Sequence, residues 1–171
     1  MPELKVLISE EDVLKRVKEL GTQISKDYEG KSLTVIGVLK GSFLFQADLV
    51  RYIDVPVQVD FLEVSSYGNE TKSSGVVKFV KDLTHSIEGL DVLIVEDIID
   101  SGLTMNYLLN NLKTRNPASL KVCTLLEKPH KTEVPIDYTG FKIEDKFVVG
   151  YGLDYRGFYR NTRYIGYFDN P

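Results

Sequence analysis

One cysteine, Cys123, stands in a chain of 171 residues, so no internal disulfide can form. It lies within the apolar stretch Leu120–Leu126 and reads as a buried core thiol rather than a nucleophile. Histidine is nearly as scarce, with two residues, and the paired ligand spacings of a zinc site are missing. No stretch approaches the roughly 18 apolar residues of a membrane span. The opening Met1-Pro2-Glu3-Leu4-Lys5 has no basic start followed by an apolar run, so no secretory leader is read there. The net charge is −4 and the basic residues are scattered, which argues against a nucleic-acid groove. Neither a membrane nor a nucleic acid is an expected partner, and a reducing cytoplasm is the expected location. Internal repeats and low-complexity linkers are also missing.

What remains is ordinary globular material, 43% apolar and 27% charged. The length suits one domain over 1–171 with a sizeable core. Ser9 caps a helix whose first turn carries Glu10, Glu11 and Asp12, where the dipole favours acids. Val13, Leu14, Val17, Leu20 and Ile24 then recur at helical spacing, and Gly30 ends the region. Leu33–Leu39 is short, β-branched and apolar, as a strand buried on both faces should be. A helical stripe runs from Phe43 to Ile53, and a second strand near Val55–Val64. Ser65 to Gly75 is polar and glycine-bearing, and is expected to be a flexible loop. Val76–Val80, Asp91–Val95 and Leu120–Leu126 read as strands, Ser86–Gly89 as a turn, and Thr104–Leu112 as a helix closed near Asn116-Pro117. The last third is rich in aromatic residues, with short runs at Phe147-Val148-Val149 and Tyr164–Phe168. Apolar strands alternating with helices predict an α/β fold with a mainly parallel central sheet. Ligands of such sheets sit beyond the carboxyl ends of the strands.

The most informative stretch is Val92-Leu93-Ile94-Val95-Glu96-Asp97-Ile98-Ile99-Asp100-Ser101-Gly102-Leu103-Thr104. A buried strand runs into two carboxylates, and then into Asp-Ser-Gly-x-Thr at a helix start. Gly102 lets the backbone curl close to a ligand. Free N–H groups at the helix start, with the hydroxyls of Ser101 and Thr104, form an anion cradle. The acids would repel a phosphate, but they suit sugar hydroxyls and a magnesium ion. The pattern therefore predicts a ligand with a phosphate at one end and a diol and metal nearby. A capped strand-to-helix turn would explain Asp100 and Ser101, but not three carboxylates in five positions.

This stretch resembles the signature of type I phosphoribosyltransferases that binds 5-phosphoribosyl-1-pyrophosphate (PRPP). The chain from about residue 5 to 168 resembles the hypoxanthine-guanine branch of that family. The resemblance implies the type I phosphoribosyltransferase fold with a small C-terminal hood, formed by the N-terminal few residues and about 129–171. It implies transfer of a phosphoribosyl group from PRPP to hypoxanthine or guanine in purine salvage, with Mg2+, by a homodimer or homotetramer. Asp100 takes the place of the catalytic aspartate near N7 of the purine. Glu96 and Asp97 take the places that address the ribose hydroxyls, directly or through the metal. Asp100, Ser101, Gly102, Leu103 and Thr104 correspond to the 5′-phosphate loop.

Val38-Leu39-Lys40-Gly41-Ser42 resembles the family's pyrophosphate loop, which often holds a non-proline cis peptide, here Leu39–Lys40. Ser66 and Tyr67 would lie near the pyrophosphate on the closing loop, and Arg160 would reach the same group. Lys128 would donate to O6 of the base, Phe147 would stack on it, and the Val148 backbone would meet its edge. Gly150-Tyr151-Gly152-Leu153-Asp154-Tyr155 resembles the run that places Asp154 near the purine 2-position and on a second magnesium. Taken singly, Phe147 reads as core, Asp154 as a surface carboxylate and Lys40 as a solvated cation. Their order and spacing carry the assignment. Leu103 stands where some members carry lysine, and Thr162 where leucine is common. Three other readings stay open: a PRPP-fold regulator, a phospho-accepting signalling domain, and a phosphoribosyltransferase for another base such as xanthine.

Overall fold

The computed structural model describes residues 3–66, 77–130 and 133–171. The elements run β1 (Lys5–Ile8), α1 (Glu10–Asp27), β2 (Leu33–Leu39), α2 (Phe43–Val50), β3 (Val57–Ser66), β4 (Val77–Lys81), β5 (Asp91–Ile99), α3 (Leu103–Lys113), β6 (Ser119–Glu127), β7 (Tyr138–Lys142), β8 (Phe147–Val149) and β9 (Ile165–Phe168). Six strands form the main sheet in the order β4-β3-β2-β5-β6-β7, and β1-β9-β8 form a smaller sheet. Every pairing in the main sheet is parallel except β3 with the edge strand β4. The small sheet is antiparallel.

Alternation along the central strands sorts two cores. Val35, Leu93, Val95, Cys123 and Leu125 point to one face, where Val13, Val17, Leu20 and Ile24 of α1 and Phe45 and Leu49 of α2 cover them. Ile36, Val38, Val92, Ile94 and Val122 point to the other, under Met105, Leu108, Leu109 and Leu112 of α3. Successive strand residues face opposite sides, so a strand buried on both is nearly all apolar, as Leu33–Leu39 is apart from Thr34. Burial pushes the Cys123 thiol up from its ordinary range, which leaves it an inert core group.

The boundaries differ from the sequence expectation in instructive ways. The Ser9 hydroxyl accepts from the Asp12 N–H, as a cap should. Helix α2 stops at Val50, so Ile53 lies beyond it and packs into the core from the following turn. The strand predicted as Asp91–Val95 continues to Ile99, because β6 keeps pairing with it through Ile99 and Glu127. Glu96 and Asp97 are therefore strand residues rather than members of a loop. Ser65 and Ser66 belong to β3, while the rest of the predicted flexible loop, Tyr67 included, lies outside the described residues. Strands β1 and β7 had no signal in the reading. The predicted hood range of about 129–171 spans β7, which joins the main sheet.

The strand order places the site. From β2 the chain steps one way to β3, and from β5 the other way to β6 and β7, so β2 and β5 flank the switch point where a crevice opens at the carboxyl ends. The β2 side is fixed by Gln46 of α2, whose amide donates to the carbonyls of Val35 (3.3 Å) and Asp60 (3.2 Å). Gly37 leaves room for it, since a Cβ there would sit 2.1 Å from Gln46 Oε1. Gly37→Ala is expected to destabilise the protein by about 1–3 kcal/mol, read as a lower urea midpoint with an unchanged slope.

Candidate active site

Strand β5 ends in the acids. Glu96 is buried, its carboxylate accepting from the Asp97 N–H at 3.0 Å. Asp97 accepts from the Ile98 N–H at 2.7 Å. Beyond Ile99 the backbone turns through Asp100 and Ser101 to Gly102, which caps α3 in the left-handed region at φ +83°. A side chain there would be strained, so glycine is what lets the chain enter α3 at this angle. The Ser101 hydroxyl accepts from the Leu103 N–H at 3.3 Å, which occupies that amide. Helix amides of the first turn have no acceptor within the helix. Glu96 to Gly102, Thr104 and Met105 surround a concavity of about 190 Å³ at this end. One cavity thus receives the acids from one side and the helix start from the other.

The predicted pyrophosphate loop lies across the switch point. The Leu39–Lys40 peptide is cis, as the resemblance implied. Gly41 packs against two other segments. A Cβ on it would lie 1.7 Å from Asp97 Oδ2, and a Cβ on Gly152 would lie 2.1 Å from the Gly41 carbonyl oxygen. Gly152 needs glycine twice over, because its φ is +100°. Arg160 fastens this third segment, with Nη1 donating to the Gly152 carbonyl at 2.6 Å and Nη2 3.2 Å from Asp154. Asp154 also accepts from the Gly157 N–H at 2.8 Å. Lys40, Gly41, Asp97, Gly152, Asp154 and Arg160 thus gather at one place.

The base-side residues gather at the ends of β6 and β8. Lys128 takes its backbone position from the Ile99 carbonyl (2.9 Å), one residue before Asp100. Its ammonium stands 3.7 Å from Asp100 and 3.2 Å from Asp145. Phe147 is not core: it is 40% exposed, edge-on to Tyr155, which in turn meets Phe168. Val148 beside it is buried in the small sheet. Ser66 ends β3, and nothing is described of its side chain. Asp145 was not singled out in the sequence, since an acid between Glu144 and Lys146 reads as a solvated loop. The Asp48 carboxylate of α2, which accepts from the Tyr151 hydroxyl, was missed because its partner lies 103 residues further along the chain.

Glu96 and Asp97 suit a hard cation. Burial, then the neighbouring Asp97 charge, hold the Glu96 carboxyl well above the usual carboxylate range. Among the described residues no group of three or more His, Cys, Asp or Glu converges as a metal cage. Magnesium is commonly held by one or two carboxylates, its own waters and substrate oxygens, so the acids fit it. At Asp154 the fit requires Arg160 to turn away.

Raising a carboxyl's folded pKa favours the folded state while the group is protonated and costs stability as pH climbs past the unfolded value. Glu96→Gln keeps the shape and removes the charge. Its melting temperature should match the parent near pH 4.5 and exceed it increasingly as pH rises toward about 8. Parallel thermal melts without metal or substrate read this out, and a gap that is constant with pH would contradict it.

Comparison with known proteins adds the lineage. Residues 7–156 match the family described as the phosphoribosyl transferase domain. The chain is 54% identical over 164 residues to the hypoxanthine-guanine phosphoribosyltransferase of Bacillus subtilis strain 168, covering 95% of this chain and 91% of that one. It is 54% identical over 172 aligned residues to the enzyme of the same name from Mycobacterium tuberculosis H37Rv, covering 96% and 85%. A crystal structure of a hypoxanthine-guanine phosphoribosyltransferase from Bacillus anthracis, with HEPES in its active site, superposes with a TM-score of 0.93 at 49% identity, covering 96% of this chain and 99% of that one. With the main sheet, its switch-point crevice and these relatives in agreement, the chain belongs to the phosphoribosyltransferase family, in its hypoxanthine-guanine branch.

Proposed function

We propose that this chain transfers the 5-phosphoribosyl group of PRPP to N9 of hypoxanthine or guanine, giving IMP or GMP and pyrophosphate. The observation that carries the reading is the meeting of a phosphate-sized helix-start cradle, an acidic strand end and a buried lysine around one crevice.

The 5′-phosphate is assigned to the loop Asp100–Thr104, where N–H groups and hydroxyls donate. The ribose hydroxyls face Glu96 and Asp97. Pyrophosphate is assigned to Lys40, the Gly41 backbone and Arg160, with Ser66 and Tyr67 on the segment that would cover it. As the C1′–oxygen bond breaks, positive charge grows on the ribose ring, and fixed carboxylates beneath it stabilise that charge. Arg160 holds Asp154 until an anion draws the guanidinium away, which frees the carboxylate for the 2-position of the base and for a cation. Magnesium, held by Glu96, Asp97 and Asp154, would supply the positive charge that the departing pyrophosphate needs. N9 attacks C1′ with its lone pair, and the proton on N7 passes to Asp100.

Lys128 donates to O6. Adenine presents an amino group there, donor against donor, so discrimination against it is expected to be large. Phe147 offers an exposed ring face for the base, and the Val148 backbone its edge. Among the described residues no helix is long and apolar enough to cross a membrane, and cytoplasmic work on dissolved substrates agrees with a single buried cysteine. Leu14 and Phe43 stay partly exposed in a groove with Asp48 and Arg163, a surface of the kind a second copy covers in a dimer or tetramer.

The test is a spectrophotometric assay with PRPP, Mg2+ and each purine in turn. Hypoxanthine and guanine should react and adenine should not. Asp100→Asn should lower turnover by roughly 10²-fold or more with an unchanged circular dichroism spectrum. Near-normal turnover in that variant would remove Asp100 from the chemistry.

A further inference from the structure

Asp145 has no place in the mechanism above, yet among the described residues it makes the closest polar contact to the ammonium of the lysine assigned to the base. We infer that Asp145 is a positioning residue that aims the Lys128 ammonium at the purine O6 and keeps it from closing on Asp100. The inference rests on the proposed base pocket.

The argument begins with the imbalance between the partners. The Lys128 side chain is 10% exposed, whereas those of Asp100 and Asp145 are 68% and 85% exposed. A buried ammonium must be paired, and it follows whichever carboxylates reach it. Among the described residues two reach it, from separate segments. Asp145 accepts at 3.2 Å, within hydrogen-bond range, and Asp100 stands at 3.7 Å, as an ion pair only. An ammonium has three protons. With one committed to Asp145 and the charge balanced from both sides, another remains for a carbonyl oxygen in the crevice. Without Asp145 the nearest counter-charge is Asp100, and the lysine would move toward the group that must receive the N7 proton.

Asp145 can act this way because its loop is fixed at both ends. The Ile143 N–H donates to the Glu127 carbonyl at 2.9 Å, next to Lys128 itself. The Lys146 N–H donates to the Glu144 carbonyl at 2.8 Å, and the Lys146 ammonium lies 4.3 Å from the centre of the Tyr167 ring. One residue further on, Phe147 begins β8. A single short segment therefore sets the lysine that reads the base edge and the ring that faces the base plane. Asp145 is itself 85% exposed, and Asp100 still stands beside the ammonium when Asp145 is removed, so the buried charge stays paired and the effect should appear in recognition and not in folding.

Kinetics of Asp145→Ala, Asp145→Asn and Lys128→Ala, with base and PRPP varied separately, test this. Asp145→Ala should raise KM for hypoxanthine and guanine about fivefold or more and lower kcat as the ammonium closes on Asp100, leaving KM for PRPP and the melting temperature near the parent values. Asp145→Asn, whose amide oxygen still accepts, should recover most of the loss. Should Lys128→Ala raise the base KM while Asp145→Ala leaves it unchanged, the inference is overturned and the base pocket stands. A rise in both KM values together, or a lowered melting temperature, would make Asp145 a loop-folding residue and would also overturn it. A normal base KM in Lys128→Ala would instead remove the base pocket on which the inference rests.

Discussion

The site depends on close contact where three segments meet at Gly41. Gly41 presses against the Asp97 carboxylate on one side and, through its carbonyl, against Gly152 on the other. Neither glycine has room for a Cβ, so the loop after β2 and the turn after β8 meet at backbone distance, and the Asp97 side chain at the end of β5 fills the space beside them. Everything chemical hangs from that junction. Lys40 extends from one segment, Asp97 and Glu96 from the second, Asp154 and Arg160 from the third. Their convergence follows from strand order, since β2 and β5 are neighbours whose chains leave in opposite directions.

Around this junction the protein uses two kinds of rigidity. The acids of β5 are held by a ladder that β6 extends as far as Ile99, so Glu96 and Asp97 cannot drift as loop residues could. The base-side groups are held by the small sheet and an aromatic chain, Phe147 to Tyr155 to Phe168 to Tyr159, at centroid spacings of 5.5 to 5.6 Å. Edge-to-face contacts of this kind fix ring orientation as well as burying area. Phe147 stands nearly perpendicular to Tyr155, at 81°, and stays 40% exposed. Lys128 joins the two regions, its backbone tied to Ile99 and its ammonium shared between acids on either side.

Much of this was legible in the chain itself. The mostly apolar runs Leu33–Leu39 and Asp91–Val95 announced a parallel sheet, and Asp-Ser-Gly-x-Thr after a strand announced an anion site. Other features were hidden, for physical reasons. Strand length at Glu96–Ile99 is decided by a partner strand, and charged residues look like a loop when that partner is unseen. Burial of Phe147 is likewise a matter of which aromatic residues lie beside it, which spacing along the chain does not reveal. Asp145 gave no signal because its meaning comes from Lys128, 17 residues away on another segment. The short strand β1 was unreadable because it is completed by pairing across most of the chain, Lys5 with Tyr167, and β7 because its edge position depends on β6, Cys123 with Tyr138.

The charge arrangement explains why the phosphate cradle is built from amides. Glu96, Asp97, Asp100 and Asp154 crowd one crevice, and a cation placed in the Asp100–Thr104 loop would be taken by the nearest acid, as Lys128 and Arg160 already are. An ammonium spent on a carboxylate binds phosphate poorly, and the carboxylate it neutralises no longer stabilises a positive ribose ring. Backbone N–H groups at the start of α3 avoid both losses, because their dipoles are fixed by the helix and no nearby acid can move them. Leu103 fits this division: its side chain brings no cation to the first position of α3, and its amide is engaged with Ser101. In the proposed mechanism the acids are thereby left free to act on the sugar.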